Sequence, residues 1–137
     1  MAIFEDISKA FIKGVANGGF SLPIAYENVE YDEIDGEPFI SMFLLPAQPV
    51  QATLGDSGCD EHTGILQLDL HYKAHTSTTE ILQKADEINA VFKSGATFTN
   101  DTTNVRIRNV GVSRLIVSDG FVTLNMTIEY FAFNKRL

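Results

Sequence analysis

The clearest hydrophobic pattern in the sequence is a strand followed by a helix, between Gly64 and Gly95. In the strand GILQLDLHYK every second position is large and apolar: Leu66, Leu68, Leu70 and Tyr72. A period of two is typical of a strand with one buried face. The segment TEILQKADEINAVFK that follows has apolar residues at helical spacing: Ile81, Ala85, Ile88 and Phe92. The pattern therefore predicts a helix packed on the leucine face of the strand.

Helix boundary signals support this unit. Ser77-Thr78-Thr79-Glu80 has the form of a capping box, and Gly95 is suited to a C-terminal stop. A second helix is predicted from Ala2 to Val15, because apolar residues recur there every four positions: Ile3, Ile7, Phe11 and Val15.

Two strands are predicted between these helices. Leu22 to Tyr26 is short and contains Pro23, which favours an edge strand. In the strand from Glu37 to Pro46 both faces are apolar, with Phe39, Phe43 and Leu45 on one side and Ile40, Met42 and Leu44 on the other. This pattern fits a central strand covered on both sides, and it equally fits a strand whose second face is covered by another subunit.

Polar segments separate these elements. Six acidic residues and no basic residue lie between Glu27 and Glu37, which predicts a solvated loop. Val50 to Leu54 could pair as a short hairpin arm, and Gly55 to Thr63 is expected to be a mobile surface loop. Residues Thr97 to Asn104 are almost entirely polar and are also predicted to form a loop.

The C-terminal third predicts a long β-hairpin. Its first arm begins at Val105, a bulge is expected at Gly111, and Asp119-Gly120 is a strong turn signal. The returning arm alternates between apolar and polar residues, with its apolar face formed by Val122, Leu124, Met126, Ile128 and Tyr130. Phe131 and Phe133 break the pattern, because they fall on the polar face. We therefore expect that end of the face to be covered by the N-terminal helix or by a neighbouring chain.

Together these elements predict an α+β fold. Residues 1–137 are expected to form a single domain, with a mixed, mostly antiparallel sheet, two amphipathic helices packed on it and a long C-terminal β-hairpin.

Composition narrows the function classes. The 137 residues include 10 Lys and Arg and 18 Asp and Glu, for a net charge of −8. This charge opposes binding to phosphate backbones, so specific nucleic-acid binding is not expected. Cys59 is the single cysteine, which fits a reducing compartment. The sequence has neither a signal-peptide pattern at its start nor an apolar run long enough to span a membrane.

Candidate catalytic groups are few. Cys59 and His62 lack the partners of a zinc site and, in a glycine-rich loop, the fixed orientation that nucleophile activation requires. His71 and His75 are four apart, a spacing that brings two ligands close together on a helix, but His71 belongs to the predicted strand and His75 to the link that follows it. The acidic run does not have the spacing of an EF-hand loop. No catalytic, cofactor-binding or metal residues are predicted, and the protein is not expected to be an enzyme.

The order of elements resembles phage tail terminator (tail completion) proteins over nearly the whole chain. The segments that carry the resemblance are FISMFLLPAQP and GILQLDLHY, followed by a helix with EINAVF and a hairpin closing on MTIEYFAF. The resemblance implies a small α/β domain that forms a ring, commonly a hexamer, at the head-proximal end of the tail tube. Such a ring stops tube growth and offers a surface for the head–tail connector protein.

That resemblance gives possible roles to otherwise unremarkable residues. The implied partners are further copies of the chain, the tail tube protein and the connector, in a virion assembled in the host cytoplasm. DNA would pass through the lumen of an acidic ring without binding to it. Seven residues are candidates for a partner or subunit interface: Phe43, Gly55, Asp56, Asp60, Glu61, Phe131 and Phe133.

Three other hypotheses remain open from the sequence. A neck or head-completion protein with a related fold would share the structural character. A small hydrolase or metal enzyme would require Cys59, His62, His71 and the acidic run to converge. A generic α+β interaction module outside phages is the third.

Overall fold

The computed structural model describes residues 3–27, 37–51, 58–73, 78–118 and 120–135. Amphipathic sequence patterns account for most of the elements in these ranges. The two helices are α1 (Ile3–Asn17) and α2 (Thr78–Val91). The strands are β1 (Ile24–Tyr26), β2 (Phe39–Pro46), β3 (Val50–Gln51), β4 (Cys59–Lys73), β5 (Thr97–Asn100), β6 (Thr103–Val112), β7 (Ile116–Ser118) and β8 (Phe121–Lys135).

All eight strands belong to one mixed sheet with the order β1-β2-β4-β8-β6-β5. The short strands β3 and β7 extend it by pairing with β4 and β8. Only β1 and β2 run parallel, and the other pairs are antiparallel. At the centre, β4 and β8 pair without interruption from Cys59↔Lys135 to Lys73↔Phe121. The predicted α+β class, with its mostly antiparallel sheet and two packed helices, is confirmed.

One face of the sheet carries the core. The alternating leucines of β4 and the apolar residues of β8 are buried there, as their period of two predicts. Both predicted helical stripes pack against them, so α1 and α2 lie on the same side of the sheet. The phenyl ring of Phe11 on α1 contacts the rings of Phe92 and Tyr130, with ring centroids 6.3 Å and 5.2 Å apart.

A buried carboxylate links α1 to the far edge of the sheet. Asp6 is 7% exposed and accepts hydrogen bonds from Asn100 Nδ2 at 3.0 Å and from Thr103 Oγ1 at 3.1 Å. These two donors lie on either side of the turn between β5 and β6. Asp6 therefore fixes the position of that hairpin relative to the helix.

Three predicted local features are wrong. The loop predicted from Gly55 to Thr63 is wrong from Cys59 onward, because Cys59–Thr63 begins β4 and pairs with β8 along its whole length. Residues 55–57 lie outside the described residues. Thr97–Asn104 was also expected to be loop but forms β5, a turn at Asp101 with φ of 56°, and the start of β6. The bulge in β6 lies between Ile107 and Asn109 and not at Gly111.

Other predictions for the strands hold. β1 is the edge strand expected for Leu22 to Tyr26, and Val50 pairs with β4 as a short arm. Gly120 has a φ of 81°, a conformation that glycine adopts without strain. The capping residue Ser77 and the turn residue Asp119 lie outside the described residues.

The ring of Tyr130 is packed against Gly64, which is its pairing partner on β4. A Cβ atom at Gly64 would lie 2.5 Å from Tyr130 Oη and 2.7 Å from the carbonyl oxygen of Leu45. Only glycine leaves room for the tyrosine ring at this position.

Burial of Tyr130 predicts that the protein loses stability at alkaline pH. Burial raises the pKa of the Tyr130 hydroxyl to about 12, whereas in the unfolded chain this pKa is about 10. Below about pH 10 both states hold the proton; above it the unfolded state releases the proton first, so stability falls until the pH passes about 12. The loss approaches about 1.4 kcal/mol for each pH unit in this window.

Urea unfolding of the wild type and of Tyr130→Phe at several pH values between 9 and 12 measures this effect. Other groups titrate in the same range, including Tyr72, whose pKa is also raised by burial. The prediction is therefore the difference between the two proteins: Tyr130→Phe should lose less stability per pH unit. Parallel curves for both proteins would contradict it.

Candidate interaction surface

The side of the sheet opposite the helices, called here the open face, carries the candidate site. Its residues are the odd-numbered positions of β2, β4 and β8, because neighbouring strands pair in register as Phe43↔Gln67 and Gln67↔Thr127. Within the described residues, both helices pack on the other side. The open face is therefore a sheet surface without a second layer from the same part of the chain.

An apolar patch occupies one half of the open face. Four of its members are substantially exposed: Phe43 (37%), Leu45 (49%), Val50 (56%) and Phe133 (50%). Ile65 and Phe131 are partly buried: Ile65 pairs with Leu45, and Phe131 precedes Phe133 by two positions on β8. The polar residues Thr63 and Glu61 of β4 pair with Phe131 and Phe133, so they lie among these apolar side chains. The six apolar residues are called the apolar patch below. Several large apolar side chains exposed on one face, with polar residues beside them, are typical of a protein–protein contact.

Aromatic contacts fix the β8 end of the apolar patch. The rings of Phe131 and Phe133 meet edge to face, with centroids 6.0 Å apart. The Arg108 guanidinium lies over the Phe131 ring, 4.8 Å from its centroid. Beside them an open depression of about 370 Å³ is lined by Arg106, Phe131 and Phe133, among others. This end of the patch therefore combines aromatic surface with positive charge.

The other end of the open face is filled by a compact aromatic cluster. The His71 ring stacks on the Phe39 ring with centroids 4.4 Å apart, and Phe121 meets Phe39 edge to face at 5.8 Å. The His71 ring nitrogens lie 3.0 Å from Ser41 Oγ and 3.2 Å from Thr123 Oγ1. Since Phe39 is only 5% exposed, this end is packed by the chain's own side chains.

The structure brings together four of the seven residues predicted as interface candidates. Phe43, Phe131 and Phe133 lie on the open face, and Glu61 lies there too, paired with Val50 on one side and Phe133 on the other. Asp60 belongs to the alternate positions of β4 and falls on the helix side. Gly55 and Asp56 lie outside the described residues.

Three members of the apolar patch were missed as candidates: Leu45, Val50 and Ile65. The signal was present for Leu45, since it shares its side of β2 with Phe43. Val50 and Ile65 could not be predicted in this way, because their place on the open face follows from strand pairing, which their local sequence does not indicate.

Two alternatives left open by the sequence can be decided. The N-terminal helix does not cover Phe131 and Phe133, because α1 packs on the opposite side of the sheet. The second apolar side of β2 is covered by the protein's own residues at Phe39 and exposed at Phe43 and Leu45. The hypothesis that the chain itself covers both faces of β2 is therefore wrong for the second half of the strand, which contains Phe43 and Leu45.

The described residues of the enzyme hypothesis do not converge, and residues 28–36 of the acidic run lie outside the part of the chain that the structure describes. Cys59 and His62 are three apart on one regularly paired strand, so they face opposite sides of the sheet. His62 is 6% exposed and contacts the ring of Phe4 on α1, with centroids 5.5 Å apart. His71 is on the open face, twelve positions along β4 from Cys59, and His75 lies outside the described residues. Among the residues described, no group of three or more His, Cys, Asp or Glu is placed to hold a metal ion.

Neither described helix is long and apolar enough to cross a membrane.

Comparison with known proteins decides the family. The family model described as "Phage tail terminator protein" matches residues 6–130. The chain belongs to the phage tail terminator family. It is therefore a structural protein of phage tails and a virion component that interacts with other tail components. The resemblance first indicated by the strand and helix segments is confirmed.

Solved structures share the fold of this tail terminator protein. One of them matches with a TM-score of 0.73 over 92% of both chains, at 18% sequence identity. At this identity the likeness concerns the fold alone. No match was found among the curated proteins.

Proposed function

We propose that this protein forms a ring, of six copies, at the head-proximal end of a phage tail tube. There it ends polymerisation of the tube protein and presents the surface to which the head–tail connector docks. Assembly takes place in the host cytoplasm, before the virion is complete. Membership of the tail terminator family supports the location, and the exposed apolar patch supports a mechanism based on protein contacts.

The apolar patch is the observation that carries this proposal. Phe43, Leu45 and Phe133 are between 37% and 50% exposed on a face that no second layer of the described residues covers. Burying such side chains against a partner gains about 25 cal/mol for each Å² of apolar surface removed from water. The acidic chain suits a lumen through which DNA passes, because a net charge of −8 repels phosphates. Neither a cofactor nor a metal has a part in this mechanism.

Tube polymerisation in the presence of the purified protein tests the proposal. The tube protein is polymerised with increasing amounts of wild-type protein, and tube lengths are measured by electron microscopy. We expect shorter tubes, each with a ring-shaped density at one end. If the protein neither binds the tubes nor changes their length distribution, the proposal is wrong. Binding to the isolated connector but not to tubes would favour a neck or head-completion role.

Matched variants connect the activity to the apolar patch. Phe43→Asp places a carboxylate in the patch, whereas Ile12→Asp changes a side chain of similar exposure, 39% against 37%, on α1. Phe43→Asp should abolish the effect on tube length while the protein stays folded, and Ile12→Asp should retain it. Equal activity of the two variants would remove the patch from the mechanism.

A further inference from the structure

Two arginines lie beside one aromatic ring at the β8 end of the apolar patch. Arg106 pairs with Phe131 between β6 and β8, and the Arg108 guanidinium lies 4.8 Å from the centroid of the same ring. Both arginines are exposed. No ion pair joins either of them to a carboxylate of the described residues. Two positive charges are therefore placed next to apolar surface without a counter-charge from this part of the chain.

The depression beside these arginines is lined by hydrogen-bond donors. Its volume is about 370 Å³, and its polar lining consists of Thr102, Asn104 and Arg106. The side-chain oxygen of Asn104 accepts a hydrogen bond from Thr99 Oγ1 at 2.7 Å, so its Nδ2 group is the part left to bind a ligand. A guanidinium and an amide Nδ2 only donate, and a hydroxyl can donate as well. Because one of these donors is also charged, the lining is suited to an anion.

Apolar side chains form the rest of the lining: Phe131, Ala132 and Phe133. Phe133 is 50% exposed and Phe131 is partly buried. A ligand in the depression therefore contacts aromatic rings and the Arg106 guanidinium together. A guanidinium presents its donors in a planar fork that matches the two oxygens of a carboxylate. The combination fits an acidic side chain that is followed or preceded by an apolar one.

The surroundings favour a single carboxylate over a polyanion. Glu61 pairs with Phe133 on one side of the depression, and Asp101 directly precedes the lining residue Thr102. A nucleic-acid backbone presents phosphates at short intervals and would meet these carboxylates as well as the arginines. The net charge of −8 repels it further. One side-chain carboxylate can reach Arg106 without approaching the acidic residues.

We propose that the depression is a binding site for an aspartate or glutamate side chain of the tail tube protein. The Arg106 guanidinium and Asn104 Nδ2 donate hydrogen bonds to the carboxylate, and the charge of Arg108 adds to the attraction. An apolar residue next to the carboxylate packs on Phe131 and Phe133. The choice of the tube protein rests on the proposed function, whereas the choice of a carboxylate rests on the lining. Since apolar burial has no direction, this charged contact fixes the register of the two proteins.

Binding to preformed tubes measures the contribution of the arginine. Tubes are sedimented with increasing amounts of the wild type, of Arg106→Gln or of Arg114→Gln. Arg114 is exposed and does not line the depression, so its variant makes the same change of charge elsewhere. We expect Arg106→Gln to bind at least about tenfold more weakly, because hydrogen bonds to a charged group are lost. Arg114→Gln should bind like the wild type, and far-UV circular dichroism verifies that both variants are folded.

Zero-length cross-linking identifies the protein that supplies the carboxylate. A water-soluble carbodiimide activates a carboxylate, and the amine that Arg106→Lys introduces attacks the activated carbon. An amide bond forms and the carbodiimide leaves as its urea, so only a carboxylate in contact with the amine is joined to it. We expect mass spectrometry of the tube complex to find position 106 joined to an aspartate or glutamate of the tube protein. Lys13, exposed on α1, should not form this cross-link.

Several results would overturn the proposal. They are equal binding of Arg106→Gln and the wild type, an equal loss in Arg106→Gln and Arg114→Gln, and a tube-bound Arg106→Lys protein that is cross-linked at position 106 only to another copy or not at all. A labelled DNA duplex that binds the wild type but not Arg106→Gln would assign the site to phosphate instead.

The same assays separate this proposal from the proposed function. If Arg106→Gln binds and shortens tubes like the wild type, the carboxylate site is wrong but the terminator role stands. If the wild type neither binds tubes nor changes their length, the proposed function is wrong and the tube protein is not the ligand.

Discussion

Replacing Leu68 by aspartate is expected to unfold the protein. Leu68 is 0% exposed on the central strand β4, where it pairs with Met42 and Met126 in the middle of the core. An aspartate there would place an unpaired charge in apolar surroundings, at a cost of several kcal/mol. Domains of this kind have a total stability of only about 5–15 kcal/mol.

Far-UV and near-UV circular dichroism, with thermal unfolding, measure the effect of Leu68→Asp. The matched control is Phe43→Asp, the same kind of change on the open face, which should leave cooperative unfolding intact. If Leu68→Asp unfolds cooperatively within a few degrees of the wild type, the position of the core on the leucine face of β4 is wrong.

Alanine at Gly64 is expected to destabilise the protein by about 1–3 kcal/mol, although the substitution adds one methyl group. The new Cβ would lie 2.7 Å from the Leu45 carbonyl oxygen, a backbone atom of the neighbouring strand that cannot rotate away. It would also lie 2.5 Å from Tyr130 Oη, which is held in the core. Either β2 moves away from β4 or the tyrosine ring shifts.

Urea unfolding measures this difference, with Gly111→Ala as the matched control. The nearest atom to a Cβ at Gly111 is the side-chain oxygen of Thr127 at 3.3 Å, so we expect a change below about 1 kcal/mol. Combining Gly64→Ala with Tyr130→Phe should recover only part of the loss, because the Leu45 carbonyl remains. Equal stability of the two alanine variants would contradict the close approach at Gly64.

The parts of the fold that the sequence predicts well are those that bury a single face. Leu66 to Tyr72 on β4, Val122 to Tyr130 on β8 and the stripes of both helices are buried as their periods require. In these elements one side is buried in the core and the other is in water, so apolar and polar residues recur with the period of the strand or helix. The secondary structure can therefore be predicted from the local sequence.

The parts that it predicts poorly depend on distant partners. Thr97–Asn104 forms a hairpin although it is polar, because Asp6 on α1 accepts hydrogen bonds from Asn100 and Thr103. Cys59–Thr63 is extended because β8 pairs with it. Neither partner can be recognised from the local sequence, since strand formation depends strongly on neighbouring strands.

The candidate site was predictable to a similar extent. Phe131 and Phe133 stood out because they interrupt an alternating strand, and both lie in the apolar patch. Val50 and Ile65 did not stand out, since their membership arises from strand register. Arg106 and Arg108 were too few to indicate a binding surface, and only the strand register shows that both lie beside Phe131 on the open face.

The central pairing of β4 with β8 also constrains how the chain folds. Leu66 pairs with Ile128, and Tyr72 with Val122, so the two middle strands are joined by contacts between residues far apart in sequence. Such contacts require the closure of long loops and are typical of slow folding, in milliseconds to seconds. During synthesis β4 has to wait, with one edge unpaired, until residues 121–135 emerge from the ribosome. The unpaired edge of β4 is available to other nascent chains in that interval, so association competes with folding.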